Sequence, residues 1–225
     1  MPPEVIGKLG GNLGKEVLDE LSAALQRGRV RNVTELVSRA LEENIPAQEI
    51  LDNGLIAGME VVGERFKTGK AFVPEVMLAA RAMAAGAELL KPHMVSGEAE
   101  AKGTVVIGTV KGDRHDIGKN LVKMMLEGKG LEVVDLGVDV PKERFIDTAL
   151  ERKARVIVCS ALLTTSMGQM KEVVEEAEKR GVREQLTIMV GGAPVTQEFC
   201  DKIHADIYTE DAASAAEAAA GVYRQ

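Results

Sequence analysis

Up to Leu90 the apolar positions return every three or four residues, the spacing that lines one face of a helix. Val17, Leu18, Leu21, Ala24 and Leu25 mark a first helix over Leu13–Gln26, with Gly28 placed to stop it. A second runs from Val33 to Glu43, where Asn32 is placed as the cap and Glu35 completes a capping-box pair. Pro46 opens a third helix, Ala47 to about Phe66, at a position where its missing N–H does no harm. Lys67–Lys70 reads as a turn shaped by Gly69, and Pro74 starts a fourth helix that ends near Leu90, before Pro92. Four helices on short links predict a small four-helix bundle.

From Gly103 the rhythm changes. Strands are expected at Thr104–Val110, Glu132–Leu136, Val156–Ala161, Thr187–Val190 and, shorter, near Asp206–Tyr208. Helices are expected near Gly118–Lys129, Lys142–Lys153, Met167–Arg180, Thr196–Ile203 and Ala212–Tyr223. Such alternation implies a parallel sheet with right-handed crossovers and helices on both faces. The simplest member of that class is a flavodoxin-like (Rossmann-type) five-stranded sheet. Between the two rhythms, His93–Lys102 is polar and aperiodic and reads as a linker. The expected organisation is a helical domain over 1–92, a linker over 93–102 and an α/β domain over 103–225.

Composition narrows the function classes. A chain of 225 residues holds one or two domains with real cores. Aromatics are 3% and Trp is absent, so Ala, Leu, Val and Met must fill the interior, with Met77, Met83, Met124 and Met125 read as core filling. The net charge of -7 argues against nucleic acid, which wants a basic face. The longest apolar stretch, Val76–Leu90, is interrupted by Arg81 and Glu88 and falls short of the ~20 residues of a membrane span. The opening Met1-Pro2-Pro3-Glu4 lacks the basic start of a signal peptide. Cys159 and Cys200 make neither a disulfide framework nor a zinc site, and Cys159, ending an apolar strand, reads as core. A reducing cytoplasm is the expected compartment.

The candidate chemistry lies after the first strand, in Gly112-Asp113-Arg114-His115-Asp116-Ile117-Gly118. The carboxyl ends of parallel strands are where such sheets bind ligands. His115 can offer a neutral ring nitrogen to a metal, and Asp113, two residues earlier, can hold the other nitrogen and fix the tautomer. Gly118 lets a bulky ligand approach the backbone. Three more segments share the rim: Asp135–Pro141 after the second strand, Ser160-x-Leu162 with Thr164-Thr165-Ser166 after the third, and Gly191-Gly192-Ala193 after the fourth. A lone histidine in a polar loop is more often solvated than ligating, and the ordered set of motifs is what favours ligation by His115. His204, near a surface helix, has no partner pattern; His93 sits in the linker, where a contact with the same ligand stays open.

The order Asp-x-His-x-x-Gly, Ser-x-Leu, Gly-Gly resembles the cobalamin-binding domain shared by methionine synthase, corrinoid methyl carriers and some mutases. The resemblance implies that His115 is the lower ligand to cobalt, replacing the dimethylbenzimidazole base, with Asp113 and Ser166 as a hydrogen-bond relay behind it. It implies that Ser160, Leu162 and Thr164 line the slot for the detached nucleotide tail and that Gly191 and Gly192 leave it space. Ala212, after Tyr208-Thr-Glu-Asp211, matches a late backbone contact. Gly112, Arg114, Asp116, Ile117 and Gly118 complete the cofactor-binding loop. The segment Gly58–Val76 resembles the helical cap that shields the upper, methyl-bearing face of the corrin. There Phe66 and Val73 take the positions that press on that face, Val73 being smaller than the usual leucine. The likeness runs from about Leu13 onward.

The function so implied is a corrinoid protein that carries methyl groups through the methylcobalamin, cob(I)alamin and cob(II)alamin states. Its partners would be a substrate-specific methyltransferase, a second methyltransferase acting on tetrahydrofolate or a thiol, and a reductive activation protein. The resemblance also allows a homodimer. Neither catalytic barrel, each typically ~250 residues, fits in this chain, so both enzymes would act in trans. The alternative is a cobalamin-dependent sensor, which usually adds a basic DNA-binding module that this acidic chain does not show. A mutase subunit would need no cap, and a plain interaction domain leaves the motifs unexplained.

Overall fold

The computed structural model describes residues 3–93 and 102–224. The expected linker therefore lies mostly outside the described residues, as does the start, Met1-Pro2. The chain divides into two compact units, Met1–Glu100 and Ala101–Gln225.

The first unit is helical: α1 (Pro3–Gln26), α2 (Val30–Glu42), α3 (Ala47–Glu49) running through a wider π-helical segment, Ile50–Ile56, into α4 (Ala57–Lys67), and α5 (Val73–Leu90). α1 packs on α2, on α4 and on the π segment, and α2 packs on α5. Leu21, Leu25, Val33, Val37, Ile50 and Leu55 are fully enclosed. Close approach depends on glycine: a Cβ at Gly54 would sit 2.5 Å from the Leu21 side chain.

Two expectations for this unit are corrected. Asn32 does not cap α2. The turn that ends α1, with Gly28 N–H donating to Leu25 C=O and Arg29 N–H to Ala24 C=O, hands the chain on so quickly that α2 starts at Val30. Asn32 then lies inside the helix, and Glu35 instead accepts from Arg31 Nε at 2.8 Å. Met77 is not core filling: it is 46% exposed, whereas Met83 and Met125 are buried. At the start of α5, Glu75 Oε2 accepts from the Phe72 N–H at 2.9 Å, half of a capping box that the sequence reading did not place. The π segment was also unread, because a hydrophobic period does not show where a helix changes its hydrogen-bond register.

The second unit is a five-stranded parallel sheet in the order β2-β1-β3-β4-β5. Its elements are β1 (Thr104–Thr109), α6 (Ile117–Gly128), β2 (Glu132–Asp135), α7 (Lys142–Glu151), β3 (Val156–Ser160), α8 (Gly168–Lys179), β4 (Thr187–Gly191), α9 (Gln197–Lys202), β5 (Ile207–Tyr208) and α10 (Ala212–Val222). α6 packs with α10 and α7 with α8. Val106, Ile157 and Ile188 join Phe145, Met170 and Val173 in one core cluster. Val105 and Ile107, on the alternate positions, are equally buried, as strands covered on both faces require. Tyr223 docks the terminal helix: its hydroxyl donates to the Thr104 carbonyl and accepts from the Arg155 N–H. Among the described residues no helix is long and apolar enough to cross a membrane.

Candidate functional site

Register brings the motifs together. Thr109 pairs with Ser160, and Ser160 with Gly191, so the ends of β1, β3 and β4 form one row across the rim. The loop after β1 turns down at Asp113, whose side chain is completely buried. Its Oδ1 takes the His115 N–H at 3.1 Å and faces the ring Nδ1 at 2.7 Å. Its Oδ2 accepts from the Leu162 N–H at 2.8 Å, the Leu163 N–H at 3.1 Å and the Ser166 hydroxyl at 2.8 Å. Burial alone would raise this carboxyl. The bonds from His115, Leu162 and Ser166 reverse that and hold it well below the usual carboxylate range.

An ionised carboxylate only accepts, so Nδ1 of a neutral His115 carries the proton and Nε2 is left with its lone pair. The His115 side chain is 52% exposed. Around it, Ile117 is 77% exposed, and a Cβ at Gly118 would meet nothing within 4 Å. Arg114, Asp116, Leu162 and Thr164 are exposed as well. This is an accessible ring nitrogen bordered by apolar surface and open backbone. Among the described residues no three His, Cys, Asp or Glu side chains gather as a metal cluster. A single imidazole suits a metal already held by a macrocycle, to which it would add one ligand. The residues present therefore fit a corrin-bound cobalt.

The remaining expected site residues fall in several places. Ser160 and Gly191 are half-buried strand ends, and Ala212 is buried as the first residue of α10. Gly192 has φ 136°, and a Cβ there would lie 1.8 Å from the Ala161 carbonyl oxygen. Its contact with the neighbouring backbone already demands glycine. Phe66 and Val73 belong to the helical unit; both are half-buried and flank the turn at Gly69, while the adjoining Phe72 is 68% exposed. Burial pushes the Cys159 thiol up to about 12, so it is a core atom and not a nucleophile.

Sequence reasoning missed several members of the site. The amides of Leu162 and Leu163 carry no side-chain signature. Thr109, which braces the histidine loop, was read only as strand, Asp139 was placed on the rim without its bond to Gly112, and Lys119 was read only as helix. Lys119 is 3% exposed, with Nζ 2.7 Å from both Asp135 oxygens and 2.7 Å from Asn120 Oδ1. A buried lysine facing the end of β2 has a partial signal in the aspartate that ends that strand.

Comparison with known proteins gives the family. Residues 103–220 and residues 17–91 each match a family described as a B12 binding domain. The dimethylamine corrinoid protein 1 of Methanosarcina mazei is 46% identical over 202 residues, covering 89% of this chain and 93% of that protein. The trimethylamine corrinoid protein 1 of Methanosarcina acetivorans is 47% identical over 180 residues, 79% and 83% of the two chains. The crystal structure of the methanol:cobalamin methyltransferase complex from Methanosarcina barkeri contains a chain with TM-score 0.84 and 33% identity, aligned over 93% of this chain and 80% of that one. The fold and the histidine site define a cobalamin-binding protein, and this chain belongs to the B12-binding corrinoid protein family. Its cofactor is a corrinoid.

Proposed function

We propose that this chain carries a methyl group between a substrate-specific methyltransferase, which loads it, and a second methyltransferase, which passes the group to tetrahydrofolate or a thiol. The relatives named for dimethylamine and trimethylamine support a methylamine as the methyl source. The likeness to a chain of a methyltransferase complex supports partners acting in trans. A reductive activation protein would complete the set.

The observation that carries the reading is the hydrogen-bonded line Ser166–Asp113–His115 at the sheet rim. When bound, the corrinoid supplies a cobalt that can accept and surrender a methyl group. His115 would offer Nε2 to the cobalt while Nδ1–H stays on Asp113, which fixes the tautomer and the orientation of the ring. With His115 off the metal, a proton held at Nε2 would be balanced by the ionised Asp113. Ser166 and the two leucine amides keep that carboxylate ionised throughout. Phe66 and Val73 would give the helical unit its shielding role.

Reconstitution with hydroxocobalamin and reduction to Co(II) should give an EPR spectrum with histidine nitrogen coupling. His115→Ala should still bind the cofactor through its tail but lose the coupling. Coupling that survives in this variant removes His115 as ligand. The loaded protein alone should not move methyl groups from a methylamine to a thiol, and adding a methylamine-specific methyltransferase should start demethylation. Turnover by the chain alone refutes the carrier reading.

A further inference from the structure

The loop that bears His115 is fastened from a second side, by groups outside the Asp113 line. Thr109, the last residue of β1, is wholly buried, and its Oγ1 donates to the His115 carbonyl at 2.8 Å. Its main chain is bonded twice to the loop after β2. The Thr109 N–H donates to the Gly137 carbonyl at 3.0 Å, and the Thr109 carbonyl accepts from the Val140 N–H at 3.0 Å. Asp139, in that same loop, closes the return. Its Oδ1 accepts from the Gly112 N–H at 2.8 Å, and its N–H donates to the Asp113 carbonyl at 2.9 Å.

The chemistry at Thr109 is specific. Valine would fill nearly the same space, so the hydroxyl is what distinguishes threonine here, and a buried hydroxyl costs free energy unless bonded. That bond goes to the backbone of the residue offered to the metal. The amide and ring of the same residue share Asp113 Oδ1. Thr109 and Asp113 thus hold His115 at its carbonyl and at its amide and ring. The ring itself is half exposed, so packing does little to place it, and its position rests on the Asp113 contact and on the backbone that carries it.

We propose that Thr109 is a positioning residue for His115: its hydroxyl fixes the peptide from which the imidazole extends and so sets how firmly the ring stays on the metal. The proposal rests on His115 being the lower ligand. Asp139 acts in the same clasp, one step further out.

Two readouts test it: amide hydrogen exchange at His115 in the cofactor-free protein, and the histidine-coupled fraction of the Co(II) EPR signal in the loaded protein. Thr109→Val should speed the exchange and lower the ratio of coupled to uncoupled cobalt by roughly tenfold, the effect of one lost buried hydrogen bond. Thr109→Ser, which keeps the hydroxyl, should restore both. Should Thr109→Val fail to fold, Asp139→Gly carries the test. Asp139 has φ 55°, which glycine adopts freely, so the carboxylate is removed without straining the turn, and both readouts should move the same way by less. A folded Thr109→Val, or failing that Asp139→Gly, with parental exchange and parental coupling overturns the proposal. So does Thr109→Ser behaving like Thr109→Val. Coupling that is absent from the parent, or that survives His115→Ala, is a different failure: the ligand reading falls first and takes the purpose of Thr109 with it.

Discussion

In the helical unit the enclosed side chains are aliphatic: Leu21, Leu25, Ile50, Leu55 and Leu90. Among the described residues, those classed as buried and polar or charged, Thr109, Asp113, Lys119, Ser166 and Glu176, all lie in the α/β unit. Four of these five stand at or beside the carboxyl ends of the strands. A core packed mainly from aliphatic side chains tolerates exchange of one aliphatic for another. A rim held by buried hydrogen bonds does not, because each group left without a partner keeps its desolvation cost. The contrast separates a core built chiefly by aliphatic packing from a rim where buried hydrogen bonds hold the His115 loop in one orientation.

The sharpest way to break the comparison uses two glycines with positive φ. Gly192→Ala forces a Cβ onto the Ala161 carbonyl and should cost roughly 3–5 kcal/mol in urea unfolding. Gly69→Ala, with φ 70° and nothing within 4 Å of the added Cβ, should cost only the left-handed backbone penalty, about 1 kcal/mol. Equal losses at the two sites would contradict the close contact at Gly192.

A second pair distinguishes polar from apolar burial. Lys119→Met leaves the Asp135 carboxylate with only the Gly137 N–H at 2.9 Å and Lys123 Nζ at 3.5 Å, and should cost roughly 2–4 kcal/mol, most of it recovered when Asp135→Leu is added. Leu55→Ala in the helical core should cost a comparable amount, roughly 2–4 kcal/mol, through the cavity it leaves. A double variant at Lys119 and Asp135 no more stable than Lys119→Met would show that the pair does more than satisfy itself.

Acid should weaken the α/β unit next. Burial would raise the Asp135 carboxyl, but Lys119 and the Gly137 N–H hold it below its ordinary value, and Asp113 is held below its own in the same way by His115, Leu162 and Ser166. Both folded pKa values lie under the unfolded value of about 3.9. The stability they add is therefore complete above that pH and drains away as pH falls through the folded values. Unfolding midpoints followed from neutral pH into acid should drop in this direction, and Asp135→Asn should flatten the slope. At the small end, Arg31→Ala removes an exposed pair with Glu35 and should leave the midpoint unmoved.

Much of this was legible along the chain. Each strand of the sheet is a short apolar run between amphipathic stretches, so its placement needs only local pattern, and the five observed strands fall where the pattern put them. Asp113, His115 and Ser166 were visible because their side chains bear the chemistry. Helix starts in the first unit were less legible. At α2 a tight chain reversal outweighed the capping preference of Asn32, and the register change at Ile50–Ile56 leaves no mark on a hydrophobic period.

Local pattern was sufficient for the elements, the strand-end location of the motifs and the residue types able to ligate, because these depend on side-chain character read one position at a time. It could not supply the bonds from the Leu162 and Leu163 amides to Asp113, from the Thr109 hydroxyl to the His115 carbonyl, or from the Gly112 amide to Asp139. Those bonds engage peptide groups that nearly every residue carries. They exist because parallel crossovers bring the ends of β1, β2 and β3 within hydrogen-bonding distance, and proximity of that kind arises only when the chain folds back on itself.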